Sequence, residues 1–226
     1  MEIIKFGEFS FYYEPSEDGS ANQPAEYLIT ETWGLAENYV RAYDVREDWV
    51  VVTAGAWIGM DAILFSKKAK QVFALEPLEH NYNKMLKNIQ MSGSNNIIPI
   101  KAGFWNKNED VVMNKTVASS ADGHDINWDA NKVLSTCMTT CYTWDHFTEE
   151  FNVPQSHLCI IDIEGAEGKF IEGMTKNLPE RLLMASYHPV SPVWEWQDAL
   201  RGKGYAPDGH VQEPNGMVHS HKFRKV

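Results

Sequence analysis

No stretch of this chain approaches the roughly 18 consecutive apolar residues that a membrane helix needs, so no membrane-spanning role is expected. The opening Met1-Glu2-Ile3-Ile4-Lys5-Phe6-Gly7 has neither the basic start nor the long apolar segment of a secretory signal, and the expected location is the cytoplasm. Basic clusters are equally scarce. Only the tail Lys222-Phe223-Arg224-Lys225 gathers positive charge, and a net charge of −11 would repel a phosphate backbone, which argues against a nucleic-acid substrate. The three cysteines, Cys137, Cys141 and Cys159, form no C-x-x-C pair, and their odd number fits reduced thiols in core or strands better than a disulfide framework. His219 and His221 form an H-x-H without companion ligands nearby, so an exposed strand is expected there and no metal site. Internal repeats and low-complexity segments are missing too, which leaves the order of elements to carry the architecture.

What is present is a globular composition. The chain has 226 residues, 43% of them hydrophobic, with eight tryptophans and nine tyrosines, enough for one substantial core. A single domain is expected, with residues 1–48 capping an α/β core over 49–226.

The informative stretch is Val50 to Pro77. Val50-Val51-Val52 is a β-branched run with no polar residue for a solvated face, which suits a parallel strand covered on both sides. Gly55-Ala56-Trp57-Ile58-Gly59 then makes the turn into a helix. Glycine allows a sharp turn and close approach of a ligand to main chain, and the amides behind Ala54 are expected to face that ligand. Gln71 to Glu76 is a second strand whose terminal acid follows Gly55 by about twenty residues, the spacing at which a carboxylate accepts hydrogen bonds from ribose hydroxyls. An adenosine-bearing cofactor is implied. Because Trp57 stands where G-x-G-x-x-G has its middle glycine, there is little room for a pyrophosphate, and a smaller nucleoside such as S-adenosylmethionine fits better.

The remaining pattern continues the alternation. Residues 2–13 read as a β-hairpin, Pro15 to Pro24 as a polar loop, and a helix runs from near Thr30 to Tyr43. Met60, Ile63 and Leu64 line a helix, and Tyr82, Met85, Leu86 and Ile89 a second, stopped by Ser92-Gly93-Ser94. Ile97 to Ile100 gives a third strand, completing β-α-β-α-β with right-handed crossovers. Gly103 to Asn131 is polar, only Val111-Val112-Met113 resembling a strand, and reads as a substrate-facing excursion or a surface loop. Regular structure resumes over Val133 to Cys141, with a helix from Trp144 to Phe151 and a buried strand Leu158 to Ile161 that ends in Asp162-Ile163-Glu164-Gly165. A helix through about Met174, a strand from Arg181 to Tyr187, a helix marked by Val193, Trp196 and Leu200, and strands around Tyr205 and from Met217 to Phe223 close the chain.

In such sheets the ligand crevice lies outside the carboxyl ends of the strands, here Thr53-Ala54, Glu76, Ala102, Asp162 and His188. Asp162 and Glu164 point the same way if their strand persists, as a pair able to position or deprotonate a hydroxyl; the alternative is a helix cap. His188, before Pro189, is the other candidate base or a structural hydrogen-bonder.

Together these segments resemble the FkbM-type methyltransferases, S-adenosylmethionine-dependent O-methyltransferases with a Rossmann-like, seven-stranded, mostly parallel class I fold with helices on both faces. The resemblance spans Val50 to His188 and rests on Val51 to Gly59, Phe73-Ala74-Leu75-Glu76-Pro77, Asn88-Ile89, Thr143 to Phe147 and above all Ile161-Asp162-Ile163-Glu164-Gly165-Ala166-Glu167. It implies that Thr53, Ala54, Gly55, Ala56, Trp57 and Gly59 meet the methionine part of the cofactor. Glu76 with Pro77 would meet the ribose, Ala102, Gly103 and Phe104 the adenine, and Asp162 the region of the transferred methyl. The acceptor would be a hydroxyl on a small molecule or glycan, deprotonated by Asp162 or His188. Thr53 stands in place of the family's acid, Trp57 of its asparagine, Ile160 of a lysine and Ser186 of an acid paired with the histidine. Two rivals therefore stand beside the enzyme: a cofactor- or partner-binding protein without turnover, and a nicotinamide-dependent reductase.

Overall fold

Four apolar residues and Thr53 make up strand β3, Val50–Ala54, and every one is buried. In the computed structural model, which describes residues 2–18, 24–116, 133–186, 193–212 and 217–226, this strand lies in a seven-stranded sheet. On one side it pairs in parallel with β4 (Gln71–Leu75), which pairs with β5 (Ile97–Ile100) at the sheet edge. Pro99 is tolerated in β5 because an edge strand need not donate on both sides. On the other side β3 pairs with β9 (Leu158–Ile161), then come β10 (Arg181–Ala185), β12 (Val218–Lys225) and β11 (Tyr205–Gln212). Only β12 runs against its neighbours.

Strand alternation divides the core in two. Val51, Val72, Ala74, Leu158, Ile160 and Leu183 face a layer made by the hairpin β1 (Glu2–Phe6)/β2 (Phe9–Tyr13) and helices α2 (Ala25–Arg41), α3 (Met60–Ser66) and α4 (Glu79–Ser92). Val50, Val52, Ala54, Phe73, Ile161 and Met184 face α5 (Trp144–Glu150), α6 (Glu167–Glu172) and α7 (Val193–Gly202). A sheet wrapped on both faces explains why its strands read as unbroken apolar runs.

Three expectations need correction here. Helix α2 begins at Ala25, not near Thr30, because the Pro24 carbonyl accepts the Tyr27 and Leu28 amides and starts the helix directly after the proline. The Pro15–Pro24 loop contains one helical turn, α1 (Pro15–Asp18), held by Lys84 Nζ at 2.6 Å from Asp18 Oδ1, both side chains buried. Residues 109–116 are a regular strand, β7 (Glu109–Thr116), paired with β8 (Val133–Tyr142) in a second sheet that also contains β6 (Gly103–Phe104). Residues 117–132 lie outside the described residues. Among the described residues no helix is long and apolar enough to cross a membrane.

Candidate functional site

Register brings the strand ends level. Ala54 pairs with Leu75 and with Ile161, and Leu75 with Ile100, so Gly55, Glu76, Asp162 and Lys101 leave the sheet at one edge. From β3 the chain moves outward to β4 and β5, then returns to β9 on the opposite flank. The reversal lies between β3 and β9, where open α/β sheets form their ligand crevice.

The turn after β3 is tightly determined. Gly55 has φ +79°, and a Cβ there would lie 1.7 Å from the Asp162 carbonyl oxygen, so only glycine lets the two chains pass. The Gly55 and Ala56 amides both donate to the Leu75 carbonyl, the Trp57 amide donates to Glu76 Oε2 at 2.9 Å, and the Gly59 amide donates to Ala56. The expectation that the amides behind Ala54 face a ligand is corrected accordingly: those of Gly55, Ala56, Trp57 and Gly59 are spent inside the protein. The turn offers a ligand its shape, not these donors. Trp57 is left-handed at φ +46°, costly for a bulky residue, and its buried indole belongs to the cluster beneath α2–α4. Asn88 of α4 holds the turn from below, accepting from the Tyr12 amide and donating to the Tyr12 and Ile58 carbonyls.

Glu76 is 4% exposed and turned inward. Its Oε2 takes the Trp57 amide and its Oε1 the Leu78 amide at 3.0 Å, which fixes the carboxylate plane. The Pro77 carbonyl accepts from Thr139 Oγ1 at 2.8 Å, tying β8 to this edge. Ala102 is wholly buried and Gly103 partly open beside Pro77. Phe104 departs from the adenine-facing expectation: its ring packs against Phe147 and Phe170 at 5.1 Å and Trp144 at 5.8 Å, leaving it 3% exposed. Any ligand contact there belongs to the main chain.

Asp162 is half-buried, its amide bonded to the Ala54 carbonyl. Glu164 does not share its direction. Strand β9 stops at Ile161, and Glu164 and Gly165 are both left-handed at φ +54° and +94°, so the alternation that would pair the two carboxylates is broken. The cap foreseen for Asp162 or Glu164 is not formed: α6 starts from Ala166 without a side-chain cap, and the fully buried Glu167 instead ties down the preceding turn, its Oε1 accepting the Ile163 and Gly165 amides. An acid two residues after Gly165 at a helix start was the available signal. His188 lies outside the described residues. His219 is buried, not exposed, and shares hydrogen bonds with Tyr39 and Ser220. None of the three cysteines is in a disulfide, and burial pushes the Cys141 thiol up to about 12.

One acid was overlooked because the apolar face of α3 drew the reading: Asp61. Burial, with a further push from the Asp162 charge, moves its carboxyl up to about 7, against the opposing Ala62 amide bond at 2.7 Å. It is enclosed by protein atoms yet still reached by solvent, as a group on a crevice floor is. The wholly buried Thr53 hydroxyl lies against the Asp61 carboxyl, where it favours the charged form, and meets no other partner.

The strand order, the single reversed strand and the acid-bearing strand ends define a class I methyltransferase fold. More narrowly, the chain belongs to the Methyltransferase FkbM domain family, which matches residues 54–207. Its fold is similar to Methyltransferase FkbM from Methylobacillus flagellatus KT, with TM-score 0.60 and 15% identity over 84% of this chain and 47% of that one. It is also similar to M. jannaschii TYW2, solved in complex with AdoMet, with TM-score 0.54 and 17% identity over 99% of this chain and 86% of that one. In sequence it is 25% identical over 135 residues to the hexuronic acid methyltransferase AglP of Haloferax volcanii, covering 60% of this chain and 54% of that protein. The chain thus spans about half the length of AglP and of the Methylobacillus protein.

Proposed function

We propose that this chain binds S-adenosylmethionine at the level strand ends and methylates an oxygen of a sugar-bearing acceptor. The observation that carries this reading is the meeting of the Gly55 turn, the inward Glu76 carboxylate and Asp162 at the point where the sheet order reverses. The residues fit such a group. A buried hydroxyl beside the Asp61 carboxyl, Asp162 close to that acid and the inward carboxylate of Glu76 suit a ligand that carries positive charge and ribose hydroxyls.

The cofactor supplies an activated methyl on a sulfonium. In our reading Glu76 accepts from the ribose hydroxyls, the Gly55 turn gives the methionine part close passage, and the main chain of Ala102 and Gly103 flanks the adenine. Asp162 takes the proton of the acceptor hydroxyl as its oxygen forms a bond to the methyl carbon; the carbon–sulfur pair stays on sulfur. Holding acceptor and methyl in line accounts for much of the rate such a reaction needs. A glycan acceptor is favoured because the similar protein from Haloferax volcanii is a hexuronic acid methyltransferase.

The test incubates the purified chain with S-adenosylmethionine and a panel of hexuronic acids, neutral sugars and small hydroxylated molecules, and reads methyl gain by mass spectrometry. Transfer to a sugar, lost in Asp162→Asn while cofactor binding persists, is expected. Cofactor binding with no transfer to any acceptor contradicts the enzyme and favours a binding protein. An active Asp162→Asn with an inactive His188→Ala moves the base to His188.

A further inference from the structure

Asp61 sits in the first turn of α3, directly above the end of β3, and three features set it apart from a surface acid. Among the described residues no lysine or arginine pairs with it, and the nearest donor it accepts from is the adjacent Ala62 amide, 2.7 Å away. Its carboxyl lies beside the Thr53 hydroxyl, which is 0% exposed and meets no other partner. It also faces Asp162, a second acid at the same edge. An enclosed carboxylate with only a hydroxyl and a second acid beside it lacks a counter-charge, which is unfavourable, and a cationic hydrogen-bond donor would relieve it.

We infer that Asp61 and Thr53 form the subsite for the α-ammonium group of the cofactor's methionine portion, with Asp61 supplying from the helix the charge that Thr53 cannot supply from the strand. The inference rests on the proposed cofactor reading and goes beyond it by assigning a residue that the motif comparison passes over. An ammonium offers three donors, which two acceptors of this kind can share. The Thr53 side chain is too short and uncharged to hold an ammonium alone. Asp61, in the first turn of α3, reaches the same point from the helix. The neighbouring Asp162 adds negative potential without having to touch the ammonium. The arrangement also gives a reason for leaving an acid half-buried and uncompensated: the counter-charge arrives with the ligand.

The test is isothermal titration of the intact chain with two ligands that share the adenosine but differ in the amino acid. S-adenosylhomocysteine carries the ammonium; 5′-deoxy-5′-methylthioadenosine lacks the whole amino-acid portion. Asp61→Asn should weaken S-adenosylhomocysteine about tenfold or more, and Thr53→Val several-fold, while each changes methylthioadenosine by less than about twofold. Equal losses for both ligands, or none for either, overturn the assignment while leaving wild-type binding intact. Failure of the wild type to bind either ligand overturns the cofactor reading itself. Thermal melts of both variants check folding, and the two independent substitutions keep the result readable if one misfolds.

Discussion

Replacing Glu76 by glutamine separates what its carboxylate does for the fold from what it does for a ligand. In the native chain the Trp57 and Leu78 amides each donate to one carboxylate oxygen, and the side chain is 4% exposed. Glutamine keeps one acceptor oxygen but turns an NH2 group toward the other amide, so one charge-assisted bond is lost and a buried donor is orphaned. The loss is about 1.5–3 kcal/mol for the bond, overlapping with about 1–3 kcal/mol for the stranded group, or roughly 2–4 kcal/mol together. For a chain of this size that lowers the melting midpoint by roughly 5–15 °C. Glu76→Ala, which orphans both amides, should fall further. Urea titration at neutral pH reads the stability, and cofactor titration well below the midpoint reads the binding, where Glu76→Ala should lose about 1–3 kcal/mol of affinity. A glutamine variant that unfolds at the wild-type midpoint would refute the stapling role, and an unchanged dissociation constant would remove Glu76 from the ribose.

Asp61 makes a prediction of opposite sign. Its folded carboxyl keeps its proton up to about pH 7 against an ordinary 3.8, so the folded state binds the extra proton between these values, and its share of stability is lost as pH rises through them. Asp61→Asn should abolish that difference and raise stability at pH 8 by on the order of 2 kcal/mol, allowing for partial contact with water; a variant less stable than wild type there contradicts it. Gly55→Ala places a Cβ 1.7 Å from the Asp162 carbonyl oxygen at φ +79°, and should cost about 3 kcal/mol or more; a wild-type melting curve would show that the two chains part easily. Asp18→Asn strands the buried Lys84 with only the half-exposed Glu17 at 3.0 Å, for a loss of about 3 kcal/mol in urea unfolding; a midpoint equal to wild type would show that the pair holds nothing.

The parts of the fold legible in the chain were those with a short-range cause. Val50-Val51-Val52 followed by a glycine turn admits one structure, and the buried strand at Leu158–Ile161 likewise announces itself by composition. What escaped was set by distant packing. The Phe104 ring is claimed by Trp144, Phe147 and Phe170, contributed by two later helices, which a strand-end position cannot reveal. Strand β7 has polar residues at both ends and gains its structure from pairing with β8, whose residues lie 17 to 32 positions further along the chain. The Asp162–Glu164 pairing assumed that β9 continues, and two successive left-handed residues end it. Asp61 was hidden by its own helix, whose apolar face explained the segment well enough to leave one acid unasked about. The candidate site was thus legible as a place, the carboxyl ends of β3, β4 and β9, while the groups that donate, accept and carry charge there needed three dimensions.

The central claim is that the level strand ends hold one S-adenosylmethionine. Crystallising the chain with S-adenosylhomocysteine tests it most directly. The account predicts the ligand across the carboxyl ends of β9, β3 and β4, with ribose hydroxyls roughly 2.6–3.0 Å from the Glu76 carboxylate and the amino group at Asp61 and Thr53. A ligand bound elsewhere, or a Trp57 indole lying across that edge with Glu76 out of reach, would contradict it.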